Sequence, residues 1–386
     1  MIKHSPVIAI VVGFLVTMVS VTDARSAEPE ATRVYALIDQ LIKDGSVAGA
    51  QVVVGESDSH LVTRSFGVRD VMGLEPVDDD TRFCIGSCSK MFAGAVIVSL
   101  ASEKTIDLDA PIDRWLGGFA APKLAEGGNA SRAPTLRELL CHRAGIYSQR
   151  NRMTKKQTRW IRDFRLSLVD SVKGIAAEPL SVEPGEESAY SGAGYCVLGR
   201  VAEVAAGKPF DELLAVRVCQ PLKLSRTTYF PPVDDDNVAT GHAMQDGKLS
   251  VVELTPHLLR KQHKLALVGG SIYAPAREAA EFARMLLQKG NAKGQEVLSL
   301  TEWKEMTKLH SPRPGGGYGF GLFVSIDAKT GNVQSVSHGG ALFGSFSHIA
   351  VDFQAERFGV VNYTGRRNRE IGEKLQEWVS SREVDR

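Results

Sequence analysis

The chain has 386 residues, 43% hydrophobic and 24% charged, the balance of an ordinary globular protein and not of a disordered, collagen-like or multi-span membrane chain. Its 46 Lys and Arg against 45 Asp and Glu leave a formal charge of +1, so no field of one sign is available to hold nucleic acid along a surface. The length, 37 glycines and 16 prolines fit one large domain or two intimate ones with many turns, a mixed α/β body of enzyme size.

At the N-terminus, Lys3 and His4 precede an apolar run from Val7 to Val21, shorter than the roughly 20 residues that span a bilayer. Ala24-Arg25-Ser26 supplies a small-x-small site just after it. Residues 1–26 therefore read as a secretory signal peptide and 27–386 as the mature domain, periplasmic or secreted and without a stable membrane span once cut. An uncleaved anchor is the alternative, because Asp23 and Arg25 charge the cleavage region. Loss of Lys3, Asp23 and Arg25 would leave the mature chain formally neutral.

Thr32–Lys43 places Val34, Leu37, Ile38, Leu41 and Ile42 at helical spacing, which predicts an amphipathic helix. Gln51–Val54 and Leu61–Gly67 follow as two strands of a hairpin at one edge of a sheet. Ser89–Ala101 is apolar nearly all round and predicts a buried central helix. From about residue 107 to 255 the reading is mainly helical, with Leu136–Leu140, Trp160–Ser171, Gly194–Ala206 and Phe210–Val218 as helices. The basic stretch from Arg150 to Arg165 reads as a solvated helix face, the alternative being a surface for an acidic polymer such as cell wall. Ala276–Lys289 predicts another helix, Tyr318–Ile326, Ser335–Gly339, Ser347–Phe353 and Phe358–Tyr363 successive strands, and Arg369–Val379 a closing helix. Strands at both ends with helices between predict an α/β fold: an antiparallel sheet from N- and C-terminal segments, covered by helices, with an inserted mainly helical subdomain and a cleft between the two.

Chemistry concentrates at the start of the buried helix, where Ser87-Cys88-Ser89-Lys90 forms an S-x-x-K tetrad. Residues i and i+3 share a helix face, so the Ser87 hydroxyl and Lys90 amine meet one turn apart. A lysine in apolar surroundings must find partners or give up its proton, and either suits a group that takes a proton from serine. The helix N-terminus also aims backbone N–H groups at an oxyanion. Competing motifs fail: there is no G-x-S-x-G, no phosphate loop, no metal-ligand spacing, and Gly315–Gly321 lacks the strand-before, helix-after setting of a dinucleotide site. No metal or cofactor is expected. Five scattered cysteines give no disulfide framework and read as small buried apolar residues.

Phe83–Met91 (FCIGSCSKM), Leu139–Gly145 (LLCHRAG), Pro184-Gly185 with Tyr190-Ser191, Gly194-Tyr195 with Leu198-Gly199, and Pro221-Leu222 together resemble the penicillin-recognising serine hydrolases. These are the class C β-lactamases, D-alanyl-D-alanine carboxypeptidases and esterases of the same fold. The resemblance spans roughly Ala31 to Thr364 and implies roles residue by residue. Ser87 matches the acylated serine, Lys90 its partner, and Tyr190 the tyrosine of a Y-x-N element, whose phenolate-like oxygen would shuttle a proton. His338-Gly339-Gly340 matches the K-T-G or H-T-G strand element, His338 offering a hydrogen-bond donor or positive charge and the glycines letting substrate lie close. A turn histidine is the alternative for His338. The oxyanion hole would be the N–H groups of Ser87 and Ala341. His142 reads as structural. Gly192 stands where the family's asparagine would hold the substrate's amide, so esters are expected to be better substrates than β-lactams or peptides. The expected activity is an exported serine hydrolase acting on a small ester, an amide or a cell-wall peptide. A β-lactamase or D-alanyl carboxypeptidase is one alternative, and a sensor of the same fold that has lost turnover is another.

Overall fold

The computed structural model describes residues 28–57 and 60–381; the signal segment expected over residues 1–26 lies outside them. Helices α1 (Glu28–Lys43), α2 (Ser89–Ser102), α3 (Leu136–Leu140), α4 (Lys155–Arg162), α5 (Leu168–Ala176), α6 (Gly192–Ala206), α7 (Phe210–Leu214), α8 (Gln220–Leu222), α9 (Ala276–Leu287), α10 (Leu300–Thr307) and α11 (Arg369–Ser380) alternate with strands. The strands are β1 (Val47–Glu56), β2 (Val62–Gly67), β3 (Phe83–Cys84), β4 (His242–Gln245), β5 (Lys248–Val251), β6 (Tyr273–Ala274), β7 (Asn291–Ala292), β8 (Gln295–Glu296), β9 (Ser311–Arg313), β10 (Gly316–Tyr318), β11 (Phe323–Ile326), β12 (Val333–Leu342), β13 (Ser345–Asp352) and β14 (Arg357–Gly365).

Eight of these strands make one antiparallel sheet in the order β2-β1-β14-β13-β12-β11-β10-β9, so the N-terminal hairpin joins the C-terminal strands as expected. Alternation along β14 explains its two cores, since side chains two residues apart share a face. Phe358 and Val360 face the main core, whereas Val361 and Tyr363 face a second core closed by α1 and α11. Helix α9 covers the opposite face, and α2 runs behind it among α6, α7 and α10, buried along nearly its whole length. The five cysteines are buried and unpaired.

Where spacing predicts one helix over Trp160–Ser171, the structure has two. Asp163 leaves helical geometry, the buried Phe164 turns inward with its carbonyl accepting from Lys264 N at 2.8 Å, and Ser167 caps a new helix by accepting from Asp170 N. Tyr318–Ile326 is likewise broken, at a turn in which Gly319 N donates to Leu322 O. The run Phe210–Val218 starts as α7 but widens by one turn over Ala215–Cys219 before α8. The β4–β5 hairpin falls within the span that reads as mainly helical.

Leu375 on α11 is fully buried in the second core. Leu375→Ala should lower the unfolding free energy by about 2–5 kcal/mol in chemical denaturation, because the cavity it leaves cannot fill from solvent.

Candidate active site

Strand β3 hands the chain to a single tight turn, Gly86–Cys88, which runs directly into α2. That turn is tied down twice: the Ser89 hydroxyl donates to Gly86 O at 2.7 Å and accepts from Ile272 N at 3.1 Å, while Ile85 N donates to Ile272 O. Ser87 lines the cleft, and Lys90, 1% exposed, reaches it from one helical turn below. Lys90 Nζ lies 3.5 Å from Ser87 Oγ and donates to Gly269 O at 2.6 Å. Burial, followed by repulsion from the Arg162 guanidinium, pulls its pKa down to about 7. A substantial share of Lys90 is therefore a neutral amine with a free lone pair near neutral pH.

Tyr190 precedes α6 and is fixed from three sides. Ser148 donates its hydroxyl to Tyr190 O at 2.6 Å, and Ser191 both donates to Tyr147 O and caps α6 by accepting from Gly194 N. His142 accepts from Ser191 N through Nδ1 and packs its ring 4.3 Å from that of Tyr190. His142 thus walls the tyrosine in. Burial drives the Tyr190 pKa well above its ordinary 10, a hydrogen bond with Ser87 opposing only part of the rise. Burial therefore favours the protonated hydroxyl over the phenolate. Lys90 Nζ sits over the Tyr190 ring, 4.7 Å from its centroid.

Strand β12 brings His338, Gly339, Gly340 and Ala341 along the other wall. The structure corrects the expected part of His338. It is buried, Nδ1 faces Gly339 O at 2.8 Å and Nε2 faces the Tyr318 hydroxyl at 3.0 Å. A carbonyl only accepts, so Nδ1 carries the proton and Nε2 accepts from tyrosine. Burial, with Lys90 adding repulsion, lowers the His338 pKa to about 3, so it offers substrate neither a charge nor a free donor. Gly340 also has another purpose than approach of substrate: a Cβ there would stand 2.0 Å from Ile85 O. The absent side chain lets β12 lie directly on the turn that carries Ser87. On the same contact, Ala341 N lies 2.3 Å from where a Gly86 Cβ would project.

The sequence profile of the Beta-lactamase family matches residues 34–375. The chain belongs to the beta-lactamase family. It is 25% identical over 336 residues to Esterase EstB of Burkholderia gladioli, covering 81% of this chain and 84% of that one. It is 24% identical over 226 residues to the teichoic acid D-alanine hydrolase of Staphylococcus aureus, covering 58% of this chain and 51% of that one. Among solved structures, the hydrolase EstCE1 superposes with a TM-score of 0.79 at 23% identity, over 92% of this chain and 99% of its own. A D-stereospecific amidohydrolase from Streptomyces superposes with a TM-score of 0.70 at 24% identity, over 90% and 98%.

In this family member Gly192 is the first residue of α6, and its missing side chain has a consequence that its sequence position does not show. Gln149 fills the space. Its Oε1 accepts from Gly192 N at 2.6 Å, and its amide lies 3.4 Å from where a Gly192 Cβ would be. A side-chain amide is thus present in the cleft, carried by the loop after α3 and not by α6. Gln149 bears no motif, and only the glycine opposite could have pointed to it. The structure also divides the basic stretch. Arg150 stacks its guanidinium 4.8 Å from the Tyr190 ring centroid, and Arg162, only partly exposed, lines the cleft beside Ser87. Among the described residues no group of three or more His, Cys, Asp or Glu could hold a metal ion, and no helix is long and apolar enough to cross a membrane.

Gly340→Ala should push β12 off the Ser87 turn. Labelling of Ser87 by a fluorophosphonate is expected to slow by about tenfold or more, since displacements near 1 Å carry costs of that order or larger. Labelling at the unmodified rate would show that the strand yields without disturbing the site.

Proposed function

We propose that this hydrolase of the beta-lactamase family is exported, forms an acyl-enzyme through Ser87, and hydrolyses a small ester in preference to an amide. The observation that carries the reading is the neutral Lys90 amine against Ser87 in a dry setting, beside a tyrosine whose hydroxyl keeps its proton. Lys90 takes the Ser87 proton as Oγ attacks the carbonyl carbon. The N–H groups of Ser87 and Ala341 receive the oxyanion. The Tyr190 hydroxyl, beside Ser87 in the cleft, passes a proton to the departing alkoxide and recovers one from the water that releases the acyl group, while Lys90 returns its proton to Ser87 Oγ as the acyl–serine bond breaks.

Two features favour esters. An ester's alkoxide leaves more readily than an amine, so it demands less of the proton relay. The uncharged His338, with both ring nitrogens engaged by the protein, supplies no cation on β12 for the carboxylate that β-lactams and D-alanyl peptides carry. The similarity to Esterase EstB, over four-fifths of both chains, supports the same choice. The apolar run from Val7 to Val21 supports export.

Ser87→Ala should abolish turnover of p-nitrophenyl acetate and the single acyl adduct seen by intact mass. An adduct that persists would place the nucleophile elsewhere, and an adduct on the unmodified protein without turnover would favour the sensor reading. A second expectation concerns pH. Lys90 must lose its proton before it can accept one, so kcat/KM for an activated ester should rise with pH through about 7 and then level. A limb near the ordinary lysine value of 10.5 would mean that Lys90 keeps its charge in the free enzyme.

A further inference from the structure

Two spaces of very different size meet at Ser87. On one side the open cleft, about 670 Å³, runs along β12 and β13 to α11, a volume suited to a small organic ligand. On the other, Ser87 borders a recess of about 20 Å³ that it shares with Lys90, Gln149, Gly192, Leu267 and Leu342. A cavity of that size holds one water-sized group.

The place of the proton donor assigns the two spaces. An ester attacked by Ser87 Oγ carries an alkoxy group that leaves and an acyl group that stays, and only the first takes a proton as it departs. Tyr190 lines the cleft, whereas Lys90 lines the recess. The alcohol therefore belongs in the cleft and the acyl chain in the recess.

The walls decide how far the recess can yield. Part of the wall is backbone drawn into a tight turn: Gly270 N and Ser271 N donate to Leu267 O at 2.6 and 3.0 Å, and Leu267 N donates to the Ser271 hydroxyl. A Cβ on Gly269 would stand 2.9 Å from Lys90 Nζ and from Tyr195 Cβ, and Leu267 and Leu342 are buried. Walls packed this closely move little. Gln149 and Arg162 supply side chains that still reach solvent, and Gln149 is bonded to another wall residue, its Oε1 accepting from Gly192 N at 2.6 Å.

We propose that Gln149 sets the length of the acyl group and limits it to acetyl, so that the preferred substrates are acetate esters whose bulk lies in the alcohol. The inference rests on the reading of the protein as an ester hydrolase and names its acyl donor. Ser87 Oγ displaces the alcohol from the acetyl carbonyl, the alcohol departs through the cleft with a proton, and water then cleaves the acetyl–serine bond to give acetic acid. The acetyl methyl fills the recess, and each further methylene meets the Gln149 side chain.

p-Nitrophenyl acetate and butyrate share one leaving group, so a difference between them reports the acyl side alone. With the unmodified enzyme, kcat/KM should fall at least about tenfold from acetate to butyrate. Gln149→Ala, which removes the amide and the methylene that carries it, should raise the butyrate-to-acetate ratio by about tenfold. Gln149→Glu keeps the length and the acceptor for Gly192 N and should leave that ratio unchanged. On the alcohol side, 2-naphthyl acetate should be turned over at least as efficiently as phenyl acetate; about a tenfold drop would overturn the assignment of the alcohol to the cleft. Equal kcat/KM for acetate and butyrate, or a preference that survives Gln149→Ala, overturns the proposal. Should Gln149→Ala not fold, the acetate-to-butyrate ratio of the unmodified enzyme decides alone. Adduct formation on Ser87, followed by intact mass, reads the same preference without turnover. Acetyl adducts that form faster than butyryl adducts and are never released would sink the ester-hydrolase reading and leave the acyl recess standing. Turnover indifferent to acyl length would do the reverse, and no adduct from either ester would overturn both.

Discussion

The site depends on one costly placement, an amine held inside an apolar helix within reach of a serine. At its ordinary pKa of 10.5, Lys90 would be uncharged in roughly one molecule in a few thousand at neutral pH, too rarely to serve as a base. Burial removes the water that favours the ammonium, and the Arg162 charge works in the same direction. The protein gives back the Gly269 carbonyl at 2.6 Å, the Ser87 hydroxyl at 3.5 Å and the faces of the Tyr190 and Tyr195 rings, none of them a carboxylate. The energetic cost falls on α2, whose other residues are mostly apolar and buried and whose packing offsets it.

That placement would achieve little if the second wall were free to move. The sheet supplies the constraint: β12 is paired on both sides, with β11 and β13, so its position is set by ladders that extend to both edges of the molecule. Gly340 lets this rigid strand touch the turn that carries Ser87. The backbones of the Ser87 turn and of Gly340-Ala341 are therefore brought together by one backbone-to-backbone contact between the sheet and the helical region. The same strand shows why His338 is a wall residue. With one nitrogen given to Gly339 and the other to Tyr318, its ring joins the aromatic group of Tyr190, Tyr318 and Phe323.

Much of this could be read in advance where a local pattern coincides with a physical demand. Ser87 and Lys90 stand out because a lysine is anomalous in so apolar a helix, and the strands of the sheet are visible from their alternation and β-branched content. What stayed hidden depends on contacts distant in sequence. The break after Arg162 follows from Phe164 turning into the core to meet Lys264, a contact across 100 residues that helical spacing ignores. Gln149 acquires its place only because Gly192, 43 residues on, has no side chain. Arg162 sits in a run of exposed cations and differs from them by which side of a short helix meets α5 and α6.

Gly192 and Gln149 also bear on how one scaffold carries different specificities. A side chain on α6 is held at a fixed angle by its helix, so an amide there would address one direction only. An amide on the loop after α3 hangs from a longer side chain and a less regular backbone, and it shares a small recess with Lys90, Gly192 and Arg162. That recess is where the Arg162 guanidinium arrives, from a helix whose own C-terminus positions it. A β-branched or amide side chain at position 192 would press on Gln149, which lies 3.4 Å from where a Cβ would stand, and so on the cleft wall that Gln149 shares with Ser87 and Arg162. The absence of one side chain on α6 thus lets the amide in the cleft come from a neighbouring loop, which also leaves room for Arg162 to line the same wall.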